Sequence, residues 1–255
     1  MAIGGNLDYA LARVYARQGR RMEAAGWRRL EASRDLDHYV AAARSTVLAE
    51  WVSSFDATHD CHSMERALRA QWSRYVQAVA AWHPHVWQEW LQWLAWLPFL
   101  SLLQQLARPE SAPAWMLADP VCAPLAPGTI ADRAAALADS VLAPLQAIVA
   151  GRMPPGPVWS AHWQALWPRA DASTQYSLDL FMRAVSRHQQ ALLIAADTSE
   201  PLREQLANRL QKLLRVAAGT VIVTVCHLAL LALDLERLRG GLASRCLFGG
   251  KAVQH

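Results

Sequence analysis

Glycine, which interrupts regular structure, is scarce at 12 of 255 residues, and the 13 prolines are gathered into clusters. Between the clusters alanine, leucine, arginine, glutamine and glutamate dominate, the residues that enter helices most readily. An all-α, multi-helix protein is expected. Catalytic landmarks are missing as well. No glycine-rich phosphate loop, no nucleophile elbow and no zinc-protease helix motif occurs, which argues against the common enzyme classes. The four cysteines, Cys61, Cys122, Cys226 and Cys246, follow no paired spacing, and no basic-then-apolar leader opens the sequence. A reducing cytoplasm is the expected setting.

What is present is ample apolar material, 53% of residues, enough to bury a substantial core. The net charge is +4, and the excess lies at one end: from Glu200 to His255 there are eight Lys or Arg against four acids, while the remaining residues balance at seventeen each. Such an end can face acidic protein, phosphate or anionic lipid, or can offset helix dipoles.

Helical spacing recurs along the chain. Leu7, Leu11, Val14 and Tyr15 share one face, with Arg13, Arg17, Arg20 and Arg21 on the rest. Ser33, Asp35 and Asp37 supply capping oxygens for a short helix through Tyr39 and Val40. A longer helix opens near Ser63 and ends at Pro84, and further helices are expected over Ile130–Ala150, from Thr174 to about Ala196, and from Pro201 onward. Five prolines between Pro109 and Gly128 mark the internal boundary. This gives an N-terminal bundle over 1–108, a proline-rich loop or linker over 109–128 and a C-terminal bundle over 129–255, the whole packed as one unit.

Val216 to Leu233 runs eighteen residues without a formal charge, the lower limit for a membrane span. Gly219, Thr220, Thr224 and His227 inside it favour a helix buried at the centre of a bundle. His59, Cys61 and His62, with His83 and His85 farther on, are the nearest approach to a metal cluster. A polar loop ahead of a helix accounts for the same letters, and no metal or other cofactor is expected. His227 reads as a hydrogen-bonded core residue.

Five of the twelve tryptophans stand between Trp82 and Leu100, "WHPHVWQEWLQWLAWLPFL". That stretch holds no Lys or Arg, which removes the electrostatic half of a base-stacking nucleic-acid surface. On an α-helical wheel Trp87, Trp90, Trp93, Leu91, Leu94, Ala95 and Leu97 form one apolar arc, and Trp96 falls on the polar side with Gln88, Glu89 and Gln92. Trp96 is therefore a candidate partner contact.

Three stretches resemble the d-subunit family of V-type ATPases. "NLDYALARVYARQGRRMEAAGWRRLEASRDLDHYV", Asn6 to Val40, resembles its opening helices through Tyr9, Ala12, Arg13 and Val14. "SMERALRAQWSRYVQAVAAW", Ser63 to Trp82, is similar to its helix with Glu65, Ala67 and Leu68. "LALDLERLRGGLASRCLFG", Leu231 to Gly249, resembles its C-terminal pattern in Glu236, Leu238, Arg239 and Arg245. Together they cover about a third of the chain in the family's order. The chain is short for the family's bundles, and tryptophans are not a family hallmark.

The resemblance implies an all-α funnel of helical bundles, short of part of one bundle. It implies a non-enzymatic coupling or adaptor subunit that joins the central stalk of a rotary ATPase to the membrane rotor ring. The expected location is cytoplasmic and peripheral to the inner membrane, the partners are stalk and rotor-ring proteins, and nucleic acid is not among them. Arg237, Arg239 and Arg245, with Trp96, are the candidate partner interface. The alternatives are an unrelated helical protein-interaction scaffold, or a helical enzyme using His59, His83 or His227.

Overall fold

The structure is a computed structural model that describes residues 6–55, 59–194 and 199–248. Among these there are helices and no strand. In order they are α1 (Leu7–Gln18), α2 (Ala24–Glu31), α3 (Leu36–Arg44), the single turn α4 (Ala49–Val52) and the long α5 (Cys61–Ala81). Then come α6 (His85–Gln92), a 3-10 segment (Trp93–Phe99), α7 (Leu100–Leu106), α8 (Ala114–Leu117) and α9 (Ile130–Ala138). A 3-10 turn (Ala143–Leu145) leads to α10 (Gln146–Val149), α11 (Pro155–Ala165), α12 (Ala172–Ile194), α13 (Ser199–Val216) and α14 (Ile222–Phe248).

Caps set the starts. Asn6 accepts from the Asp8 amide, Asp35 from His38 and Asp60 from Ser63, each filling a donor that the first helical turn leaves open. Thr129 and Asp132 complete a reciprocal capping box at α9.

The chain forms two compact units, and neither is continuous in sequence. Residues 1–68, 78–85 and 169–255 make the first; 69–77 and 86–168 make the second. The expected division at 109–128 is not where the chain divides. That segment is tied down within the second unit: buried Arg133 donates to the carbonyls of Leu106, Arg108 and Glu110, and Arg69 meets Asp119 at 2.6 Å. Prolines stop a helix here without releasing the backbone, because two buried cations hold it.

In the first unit α14 is the central element, packed by α1, α3, α12 and α13. Ile222, Val223, Val225, Cys226, Leu228 and Leu230 are all buried, which explains an apolar run with no polar face. The run from Val216 to Leu233 is not one helix. Gly219 takes φ +81°, a left-handed turn that favours glycine, and α13 ends before it while α14 starts after it. Among the described residues no helix is long and apolar enough to cross a membrane.

The second unit is built on tryptophan. Trp163 stacks on Trp90 at 4.9 Å and on Trp159 at 5.5 Å, and meets Trp167 edge-on at 5.6 Å. Its indole N–H donates to the Trp90 carbonyl. Ring pairs of this kind add about 0.5–1.5 kcal/mol each beyond the area they bury.

Two other expectations change. The helix expected over Ile130–Ala150 ends at Ala138, and Pro144, which has no amide to donate, sits in the first turn of a separate 3-10 segment over Ala143–Leu145. Between Trp93 and Phe99 the backbone is 3-10 rather than α, so residues three apart eclipse. Trp93, Trp96 and Phe99 therefore share a face, with the Trp96 ring 5.4 Å from Phe99, and Trp96 is half-buried rather than on a polar side of its own.

Candidate functional site

The three predicted arginines lie on the C-terminal half of α14, and each has a role inside the first unit. Arg237 binds both Glu31 oxygens, at 2.5 and 2.8 Å, and covers the Trp27 ring at 4.9 Å. The Glu31 hydrogen bonds raise its pKa further. Arg239 donates to Glu65 at 2.9 Å. Arg245 donates to the Ser33 and Glu31 carbonyls, capping the C-terminal end of α2, and lies 4.1 Å over the Tyr39 ring. The contacts expected with an acidic partner are made instead with acids and carbonyls of this chain. Spacing along α14 alone gives no sign of partners about two hundred residues upstream.

The same helix aligns a polar seam against α1 and the end of α5. Arg21 clasps Asp234 with two hydrogen bonds of 2.7 Å. Burial raises the Asp234 carboxyl, and Arg21 pulls against that rise. His227 Nδ1 donates to Gln18 Oε1 at 2.9 Å; burial, then Arg17 and Arg21, lower its pKa to about 4, so it is neutral at pH 7. His83 is fully buried. Its Nδ1 donates to the Val79 carbonyl, which fixes the tautomer, and its Nε2 accepts the Thr224 hydroxyl at 2.8 Å. Both its nitrogens are occupied by partners within the chain. Of the other histidines considered, His59 lies against Phe55, 6.3 Å between ring centres. Among the described residues no three His, Cys, Asp or Glu side chains group to hold a metal ion.

Cys61 and Cys246 form a disulfide, Cα atoms 6.0 Å apart, that joins the start of α5 to the end of α14. Four unpaired cysteines were expected because spacing showed no pattern; a bond across 185 residues has no spacing signature. Cys122 and Cys226 remain as buried thiols whose pKa burial pushes up to about 12.

A cluster of unpaired cations lies elsewhere in the first unit. α12 and α13 form an antiparallel hairpin whose outer side opens a groove of about 370 Å³. Leu180, Ala184, Leu213 and Val216 make its apolar part, and Arg183, Arg187, Arg209 and Lys212 its rim. No acid lines it. All four cations are exposed, and among the described residues none has a carboxylate within ion-pair distance; Arg183 donates to its own helix at the Asp179 carbonyl. Like charges one turn apart weaken a helix slightly, so this arrangement opposes local stability. Sequence reasoning recorded the C-terminal basic excess, which includes Arg209 and Lys212, but missed Arg183 and Arg187. The available signal was the i, i+4 pair Arg183/Arg187 on one helix followed by Arg209/Lys212 on the next.

Comparison with protein-family models, curated proteins and solved structures gives no match for this chain.

Proposed function

We propose that this chain is a non-enzymatic coupling or adaptor subunit, of the kind that joins the central stalk of a V-type ATPase to its membrane rotor ring. One observation supports the reading. The three stretches that carry the family resemblance are separate in sequence, yet residues from each of them meet in the first unit. Arg237 of the third binds Glu31 of the first, Arg239 of the third binds Glu65 of the second, and Arg13 and Arg17 of the first cover Trp82 of the second at 4.2 and 4.6 Å. Likenesses produced by helix-rich composition alone have no reason to converge on one another. On this reading the seam of α14 assembles the unit, and the partner binds elsewhere on it.

The test is recovery from native membranes. Tagged protein is expected to bring down stalk and rotor-ring subunits in fixed proportion. Recovery with neither, from membranes that contain the enzyme, refutes the rotary assignment.

A further inference from the structure

We infer that the groove between α12 and α13 is a docking site for an acidic amphipathic helix of a partner protein. The inference rests on the adaptor reading, which supplies the protein partner.

Charge complementarity identifies the occupant. Four cations ring the groove, no acid lines it, and among the described residues no carboxylate pairs with them. A binder that presents two to four carboxylates flanking the groove satisfies them. The apolar part narrows the choice. Val216 is 70% exposed and continues the strip formed by Leu180, Ala184 and Leu213, so the occupant carries apolar side chains between its acids.

Geometry completes the argument. From Arg209 to Val216 the site runs seven residues, about 10 Å or two helical turns. A third helix laid along two antiparallel helices sits about 8–10 Å from each axis, close enough for leucines to enter the groove while glutamates at i, i+3 and i+4 reach both walls. A flat anionic bilayer reaches the rim but not Leu213, which lies buried at the base. A single-stranded nucleic acid finds no aromatic side chain in the groove to stack on.

The experiment uses the purified full chain and a fluorescent 18-residue helical peptide with leucines on one stripe flanked by glutamates. Its controls are a scrambled peptide of equal composition, polyglutamate and phosphatidylserine vesicles. The acidic amphipathic peptide is expected to bind, more weakly as salt rises, and at least about tenfold more tightly than the scrambled peptide. Arg187→Glu with Arg209→Glu, which leaves two cations facing two acids on the rim, is expected to weaken that binding at least about tenfold. Circular dichroism of the double variant checks that it folds; both sites are exposed. Val216→Ser, which leaves all four cations in place and adds no charge, is expected to weaken the peptide without weakening polyglutamate. Equal binding of ordered and scrambled peptides, preference for vesicles, or indifference to the charge reversal overturns the proposal. Native stalk and ring subunits retained by the double variant would overturn the groove while leaving the adaptor reading intact.

Discussion

Adjacent glycines in α14 offer a controlled test of the packing that holds the first unit together. Glycine inside a helix costs about 1 kcal/mol relative to alanine, so both Gly240 and Gly241 are unfavourable by propensity. They differ in surroundings. A Cβ on Gly240 meets nothing within 4 Å, whereas one on Gly241 comes within 2.6 Å of the Tyr39 Cζ and closer still to its hydroxyl. Tyr39 cannot easily yield, being fully buried with Arg245 over its ring. Gly240→Ala is therefore expected to stabilise by up to about 1 kcal/mol. Gly241→Ala gains the same propensity but forces apart a packed helix pair, an overpacking cost of about 1–3 kcal/mol. The difference between the two variants, about 1–3 kcal/mol, isolates the steric contribution of the α3–α14 contact. Urea unfolding followed by circular dichroism measures it. Tyr39→Phe removes a buried hydroxyl that has no hydrogen-bond partner, so it is expected to be close to neutral alone and to recover part of the loss in the Gly241→Ala background. If Gly241→Ala stabilises as much as Gly240→Ala, the close approach of Tyr39 is not what the glycine serves.

Acid is expected to destabilise the first unit through its buried histidines. The His227 pKa is lowered from 6.5 to about 4, so on acidification the unfolded chain takes the proton first; stability is full above about 6.5 and falls toward 4, by roughly 3 kcal/mol from this residue. His83 acts in the same direction. Urea midpoints at pH 7 and pH 4.5 measure the loss, and a His227→Gln profile as steep as the parent's contradicts the assignment. Reducing the Cys61–Cys246 bond, or replacing both cysteines by alanine, releases a loop of 185 residues, and loop-closure entropy sets the loss at up to about 5 kcal/mol. Equal midpoints with and without reductant would show that the bond restrains little. Trp163→Ala removes the ring that links Trp90, Trp159 and Trp167, with an expected loss of about 3–5 kcal/mol and of the near-ultraviolet dichroism of the stack; an unchanged spectrum would place the signal in other tryptophans.

Local features were legible in the sequence. The helical composition, the capping role of Asp35, the burial of Trp90, Trp93 and Leu94, and the hydrogen-bonded core setting of His227 all follow from short-range periodicity and chemistry. What failed depended on pairing at a distance or on a change of helical type. The wheel that set Trp96 apart assumed 100° per residue, whereas the 3-10 backbone turns by about 120° and aligns it with Trp93 and Phe99. The charge excess at the C-terminal end was visible, but not that Glu31 and Glu65 answer Arg237 and Arg239, nor that four unpaired cations gather in one groove of α12 and α13. Prolines at 109–128 signalled a helix break, while the compact units divide at other positions and buried Arg69 and Arg133 anchor the segment.

The discontinuous first unit sets an order of events on the ribosome. α1 to α4 emerge early with Leu11, Val14, Trp27 and Tyr39 ready for burial, but α14, which packs on α1 and α3, follows some 170 residues after Val52. At about 5–20 residues per second, roughly ten to thirty seconds separate the two halves of that core. Over that interval the stretch 86–168 has all of its residues and can condense around its tryptophans, while the earlier helices still display unmatched apolar faces. The nascent chain is thus a natural client for chaperones until α14 arrives and joins its N-terminal and C-terminal thirds.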